Sequence, residues 1–258
     1  MSKHFKKPFN PIPWHGSPHD FSSANGVHNR NLGIYATEDT QRYIVGTRLT
    51  TWDGRVFKYI YAEKACTSYH GAVTLATHAY AGEALVSSVV VGDTSVLVTQ
   101  TGFTEDELQG GFICVYGAGS HAMNRLIVGN DATVGTTTMI YIDGPISVAG
   151  DTLYHEVFQN PYKRCSGTPQ VYSCVVAVPA ANIAVSSYGW GQTWGPCVVS
   201  PAEDVGTRSV SQDRMVFDTA TGLLKANGAA DTYRQNAGFI LNQGVTTYGP
   251  LIMLQLSI

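Results

Sequence analysis

The residue types in this chain that could do chemistry are its histidines, its cysteines and one run of carboxylates. His15 and His19 have the i, i+4 spacing with which a helix presents two rings to one metal ion, but the intervening Gly16 and Pro18 exclude that helix. The segment 117–121, Gly-Ala-Gly-Ser-His, lacks the Gly-x-Ser-x-Gly pattern that exposes a serine nucleophile. We therefore expect neither a metal site nor a catalytic serine at these positions.

The other candidate residues are dispersed along the chain. Four histidines have no carboxylate at a recognisable spacing, which favours surface or hydrogen-bonded core histidines over metal ligands: His70, His78, His121 and His155. Residues 105–107 are three adjacent carboxylates, which neither a helix nor a strand can point at one substrate, and residues 104–108 instead predict a capped helical turn. Phosphate-binding glycine loops and zinc-spaced cysteines are absent from the sequence. We predict no catalytic, cofactor-binding or metal-binding residue, and so a protein that is not an enzyme.

The cysteines and the net charge indicate in which cellular compartment the protein folds and which classes of partner it binds. The five cysteines are odd in number and irregularly spaced, which indicates reduced, buried thiols in a reducing cytoplasm: Cys66, Cys114, Cys165, Cys174 and Cys197. No apolar run approaches the roughly 20 residues that span a bilayer, and the basic N-terminus lacks the apolar region of a signal peptide. A net charge of −3 argues against binding to nucleic acid by phosphate neutralisation. We expect neither a membrane nor a nucleic-acid partner.

The element that stands out is residues 187–199, where aromatic, polar and glycine residues alternate as in a strand. The even spacing predicts that Trp190 and Trp194 share one face with Gln192 between them. Three glycines take the other face, where they would let another layer approach closely: Gly189, Gly191 and Gly195. Gly195-Pro196 predicts the turn that closes the strand. We interpret this strand as a packing element, with an aromatic stacking site for a carbohydrate or nucleotide as the alternative.

The rest of the chain predicts an all-β fold. Residues 43–50 and 55–61 alternate and meet at Asp53-Gly54, which predicts a hairpin. Residues 62–84 fit either a short helix or an irregular crossing. Further short runs separated by turn residues predict strands at 85–91, 95–100, 111–116, 125–128, 137–142, 153–158, 171–178, 183–185, 206–210, 215–218, 238–241 and 251–256.

Residues 1–33 have no periodicity and hold four prolines, which predicts an extended N-terminal arm. Its aromatic side chains need an apolar partner, so we expect the arm to dock on another subunit, and the candidate interaction residues are Phe5, Phe9, Trp14 and Phe21. We predict two small barrel-like or sandwich-like units of short antiparallel strands after the arm. The expected boundaries are 34–165 for the first unit, which includes the hairpin, and 166–258 for the second.

Several segments, taken in order, resemble a family of virion structural proteins of tailed phages. They are residues 53–59, 105–115, 143–146, 160–162 and 188–196, and the resemblance covers about residues 40–258. Gly191 and Trp194 depart from the residues that the family pattern leads us to expect. The resemblance implies a capsid decoration or cement protein on the outer surface of the phage head, assembled in the host cytoplasm. Its implied partners are the major capsid protein and copies of itself, with a homotrimer favoured.

Three other functions remain open at this stage. The chain could be another virion component, such as a head fibre, a neck or tail protein, or the shell protein. It could be a carbohydrate-binding module that stacks sugars on Trp52, Trp190 or Trp194. An enzyme such as a depolymerase would need two acidic groups that face one cleft.

Overall fold

The computed structural model describes residues 33–51, 53–76, 78–99, 101–117, 123–147, 153–169, 174–205, 214–218, 220–227, 234–243 and 249–257. These residues form sixteen strands and no helix, which confirms the predicted all-β class. The strands are β1 Arg48–Thr50, β2 Val56–Ala62, β3 Ala72–Thr74, β4 His78–Ala84, β5 Ser95–Thr99, β6 Phe112–Gly117, β7 Met123–Asn130, β8 Thr137–Ile142, β9 Leu153–Phe158, β10 Cys165–Ser166, β11 Val175–Pro179, β12 Ser187–Val198, β13 Arg214–Phe217, β14 Leu224–Ala226, β15 Asn236–Asn242 and β16 Leu251–Gln255.

The described residues divide into two compact units. Residues 76–161 form one, here called the insert unit, and residues 33–75 with 162–257 form the other, the barrel unit. This division differs from the predicted boundary between 165 and 166. The reason is that β2, which we expected in the first unit, pairs along its whole length with β12, more than a hundred residues later. The predicted arm, apart from Gly33, lies outside the described residues.

Five strands of the barrel unit close a ring. β2, β10, β3, β11 and β12 pair in that order, and β12 pairs back with β2. All of these pairs are antiparallel except the single parallel pair of β10 with β2. The second half of β12 leaves the ring and pairs with β16, which begins the antiparallel sheet β16–β15–β13–β14. The predicted hairpin is confirmed, since Leu49 of β1 lies opposite Phe57 of β2.

Small residues fill the inside of the five-stranded barrel. A ring of five strands encloses less space than the eight-stranded barrels whose interior just holds side chains. Its core is accordingly made of Ile60, Ala62, Cys66, Ala72, Cys165, Ala177 and Ile183. A Cβ atom on Gly191 would lie 2.6 Å from the Cβ of Ala177, and one on Gly189 would lie 2.7 Å from Cδ1 of Ile183. The prediction that these glycines permit a close approach is therefore confirmed.

The insert unit is a single curled sheet with its own core. Its strands follow the order β4–β9–β6–β7–β8–β5, with every pair antiparallel, and an isolated bridge between Leu85 and Val98 links the two ends of the sheet. The buried residues of this core include Val98, Ile113, Ile127 and Ile140. The unit thus buries an apolar centre without residues from the barrel unit.

Four local predictions need correction. The described residues of 62–84 contain no helix and include β3 and all of β4, while residues 85–91 and 183–185 make isolated bridges rather than the predicted strands. Residues 104–108 form turns instead of a helical turn, because Asp106 has a φ of 59°. The amide of Thr104 still donates to Oε2 of Glu107 at 2.9 Å, as in the expected cap. The predicted strand at 206–210 lies outside the described residues.

Candidate functional site

Trp190, the centre of the predicted aromatic strip, belongs to the core of the barrel unit. It is only 6% exposed, and its ring lies 5.2 Å from the ring of Tyr59 and 5.6 Å from that of Tyr43. Tyr59 also stacks on Tyr188, with ring centroids 5.7 Å apart. A ligand cannot stack on a ring that is covered in this way, so the packing interpretation is the one that fits Trp190.

The prediction that Trp190 and Trp194 share a face is wrong. Trp190 lies opposite Tyr59 and Gln192 opposite Phe57, but Trp194 lies opposite Val56, because β12 contains a bulge between Gln192 and Trp194. One extra residue turns every following side chain to the other face of the strand. Trp194 is therefore separated from the aromatic cluster that holds Trp190. Trp52, the third candidate platform, lies outside the described residues.

The side chain of Gln192 stabilises this bulge. Its Nε2 atom lies within hydrogen-bond distance of the carbonyl oxygens of Trp194, Gly195 and Pro196, at 2.9–3.2 Å. The strand also continues beyond Gly195-Pro196, which we had expected to form a closing turn, since Pro196 lies opposite Met253 of β16. Gly195 takes a φ of 94° here, a backbone conformation that side-chain-bearing residues rarely adopt.

The four sequence-predicted interaction residues lie outside the described residues: Phe5, Phe9, Trp14 and Phe21. All five cysteines are described, and none of them forms a disulfide. Cys66, Cys165 and Cys197 are buried, which agrees with the expectation, whereas Cys114 is half-buried and Cys174 exposed. In the described part of the chain, no three histidine, cysteine, aspartate or glutamate side chains are grouped as metal ligands.

An exposed aromatic surface lies on the outer side of the insert unit, on β6 and β9. Their antiparallel register places Phe112 opposite Phe158, Cys114 opposite Glu156, and Tyr116 opposite Tyr154. The alternate residues, Ile113 and Val115 on β6 and His155 and Val157 on β9, point inward and are buried. We call the six outward residues the aromatic face: Phe112, Cys114, Tyr116, Tyr154, Glu156 and Phe158.

Three of the four rings of the aromatic face are exposed, and that of Tyr116 is half-buried. Phe112, Tyr154 and Phe158 have relative exposures of 40%, 39% and 38%. Tyr116 stacks beside Tyr154 with centroids 6.0 Å apart and ring planes at 24°. Cross-strand aromatic pairs of this kind stiffen a sheet, and they also leave a flat apolar surface in water. Exposed apolar patches of this kind mark contact surfaces for other molecules.

The aromatic face has one charged side chain, that of Glu156. Burial, with a smaller contribution from Glu156, raises the pKa of the Cys114 thiol. The same two causes, with further contributions from Cys114, Tyr154 and a hydrogen bond to Glu156, raise the pKa of the Tyr116 phenol. The thiol and the phenol are therefore neutral near pH 7. The arrangement is suited to apolar contact and supplies no activated nucleophile.

Alternation along the chain does not identify this face. In Phe112–Gly117 both alternate sets of residues are apolar, so period-two alternation does not say which set faces the core. The position of the aromatic residues is the signal that could have identified the face. Phe112 and Tyr116 are an even number of residues apart on β6, as are Tyr154 and Phe158 on β9, so each pair lies on one side of its strand. Their cross-strand pairing depends on the register, which the sequence does not contain.

His155 lies on the inner side of the same sheet. It is fully buried, and neither ring nitrogen makes a well-formed hydrogen bond. Burial lowers the pKa of the imidazole, and the backbone and carboxylate of Glu83, its neighbour across β4 and β9, oppose that effect only in part. The ring is therefore neutral at pH 7 and functions as a core residue.

Comparisons with known proteins give no relatives for this chain. A scan against protein-family models, a search of curated proteins and a search of solved structures each returned no match. Within the described ranges, no helix is long and apolar enough to cross a membrane.

Proposed function

We propose that this chain is a structural protein of a tailed-phage virion, a decoration protein that binds the outer surface of the head and stabilises the shell. The observation that carries the proposal is the aromatic face of the insert unit, where three exposed rings accompany a single acidic residue. The ordered motifs between residues 53 and 196 that resemble phage virion proteins support the same function.

The aromatic face has the properties of an interface centre. Stable interfaces bury about 800 Å² per partner, and a few aromatic side chains near the middle supply most of the binding energy. Phe112 and Phe158 lie opposite each other and Tyr116 stacks beside Tyr154, so two cross-strand ring pairs lie on the same side of β6 and β9, with Cys114 and Glu156 between them. The rings lose little side-chain entropy on binding, because the strand pair already holds them in place.

A capsid shell presents many identical binding sites, so an oligomer that binds several of them at once needs only a modest affinity at each site. The partner in this proposal is the major capsid protein, and the protein itself assembles as a homotrimer, since closed three-fold symmetry would multiply each contact at a three-fold position of the shell. Head assembly in the host cytoplasm agrees with five cysteines of which none forms a disulfide.

Binding to isolated heads tests the proposal. Phe112→Ser combined with Phe158→Ser removes the paired rings from the outside of the sheet while the inward residues of β6 and β9 stay unchanged. We expect at least about 10-fold weaker co-sedimentation with heads of the parent phage that lack this protein, because each aromatic contact in an interface centre contributes about 2 kcal/mol.

The matched control is Val134→Ser, which changes an exposed apolar residue of the same unit outside β6 and β9. This variant should bind heads like the unchanged protein, and all variants should unfold at similar temperatures. Equal binding of the Phe112/Phe158 variant would exclude the aromatic face as the contact surface. Failure of the unchanged protein to bind heads would reject the decoration function and favour a neck, tail or fibre component, which copy number per virion would then identify.

A further inference from the structure

A groove runs along the outside of the barrel unit and is separate from the aromatic face. Its volume is about 230 Å³, and β2, β11 and β12 contribute to its lining. The buried side chains of Phe57, Val178 and Gln192 form its floor. Tyr35, which is 59% exposed, Tyr69, which is 43% exposed, and the exposed Pro196 form its rim. The rim therefore presents apolar rings to solvent.

Two polar side chains that line this groove, Gln192 and Arg55, already have partners. The Nε2 atom of Gln192 donates to backbone carbonyls of its own strand. Arg55 pairs with the carboxylate of Asp53 at 2.8 Å, and its guanidinium lies over the ring of Phe57, 5.5 Å from the centroid. These side chains leave no uncompensated charge for an ionic ligand. The groove therefore suits an apolar, extended segment.

The rim is built in advance of any ligand. The amide of Tyr69 donates to the carbonyl of Pro179 at 3.0 Å, and the carbonyl of Tyr69 accepts from the amide of Ser200 at 2.8 Å. Both bonds hold a residue with a φ of 63°, which is rare for a tyrosine. Rigid rims of aromatic and proline residues are the surfaces on which proline-rich segments bind in an extended polyproline conformation.

The chain contains such a segment close by in sequence. Phe9-Asn10-Pro11-Ile12-Pro13-Trp14 alternates prolines with large apolar residues, and each proline fixes φ near the extended value. The described chain begins at Gly33, directly before Ile34 and Tyr35 in the wall of the groove. The 18 residues from 15 to 32 separate this wall from Trp14. An 18-residue chain with random-coil dimensions has an end-to-end distance of about 23 Å, so the length of the chain permits residues 9–14 to reach the groove.

We propose that the groove of the barrel unit binds residues 9–14 of the same chain. Trp14 and Phe9 then lie against the rings of Tyr35 and Tyr69, and the prolines lie along Pro196. The apolar side chains of the segment are then buried against the groove. The contact is intramolecular, because residues 15–32 connect the segment to the barrel unit. This differs from the expectation that the arm docks on another subunit, and it is independent of head binding by the aromatic face.

Photochemical cross-linking in the full chain tests this assignment. Benzoylphenylalanine in place of Tyr35 should, on illumination, form a cross-link that mass spectrometry locates within residues 9–14, in a product of monomer mass. The same photoreactive residue in place of Phe239, an exposed aromatic of β15 in the same unit, is the matched control and should not label that segment.

A second variant shows whether the side chains of the segment cause the contact. Phe9→Ser with Trp14→Ser should reduce the yield of the cross-link from position 35 at least about 10-fold, since the apolar contacts are removed while the tether is kept. A cross-link of unchanged yield, or labelling elsewhere in the chain, would overturn the proposal. A product of dimer mass would instead assign the groove to the segment of a second copy and reject the intramolecular contact.

Discussion

At the scale of single residues, burial determines the protonation state of the groups that could otherwise react. Burial raises the pKa of the Cys66 and Cys197 thiols to about 12 and that of Cys165 well above its usual value. Thiols of this kind stay protonated at neutral pH and do not act as nucleophiles. These three cysteines serve as small apolar side chains, two of them inside the five-stranded barrel.

His155 predicts how stability depends on pH. Burial holds the pKa of its imidazole below the unfolded value of about 6.5, so protons bind more readily to the unfolded chain. The insert unit should therefore lose stability as the pH falls below about 6.5, by at most about 1.4 kcal/mol per pH unit, until the folded-state pKa is reached. Above pH 7 this group should contribute no pH dependence.

Urea unfolding at pH 7.5 and at pH 5.5, followed by amide exchange in β9, measures this effect. His155→Leu keeps an apolar side chain of similar size and removes the titrating group, so its stability should change less between the two pH values than that of the unchanged protein. Equal changes in the two proteins would show that another group controls the pH dependence of the insert unit.

At the scale of elements, β12 connects the barrel to the adjoining sheet, and its glycines set the width of the barrel. Gly191 faces the interior, where Ala177 of β11 and Ile60 of β2 fill the space that a side chain would take. Because protein interiors are close-packed, even one added methyl group there forces neighbouring strands apart.

We expect Gly191→Ala to destabilise the protein by about 1–3 kcal/mol, since its Cβ would meet the Cβ of Ala177 at 2.6 Å. Ala177→Gly removes the colliding atom. The double variant should then be less destabilised than the sum of the two single variants, which denaturant unfolding of all four proteins measures as a coupling energy. Additive free energies of unfolding would show that the two residues do not limit the barrel width.

At the scale of the whole molecule, the barrel unit is made of two stretches of chain, and the insert unit lies between them in sequence. The insert unit closes its own core, with thirteen buried apolar residues from within residues 76–161. All of its strands pair with one another. Such a unit contains the contacts that a separate folding domain needs.

Residues 76–161 expressed alone should therefore fold. We expect dispersed amide resonances and a single cooperative unfolding transition, because chains of this size with one core unfold in a two-state manner. The matched comparison is the segment 34–165 that the sequence had suggested as a unit, which includes β1 and β2 without their partner β12. This segment should show additional unstructured resonances. An unfolded 76–161 fragment would mean that its core depends on the rest of the chain.

The sequence by itself determined the elements whose cause is local. The Asp53-Gly54 pair between two alternating runs was sufficient to predict the β1–β2 hairpin. Short alternating runs also predicted the positions of strands such as β5, β8 and β9. The glycines of β12 also indicated a close approach, because only the absence of a Cβ atom permits it. These features depend on neighbouring residues and on period-two alternation, both of which can be read along the chain.

Only the tertiary structure decided the features that depend on distant partners. The closure of β2 on β12 joins residues more than a hundred positions apart, and the bulge in β12 that separates Trp194 from Trp190 arises where the strand changes partner from β2 to β16. The exposure of Phe112 and Phe158 likewise depends on which of two apolar sides of β6 and β9 the core covers. Alternation defines two faces of a strand, but long-range pairing and packing determine which of them meets water.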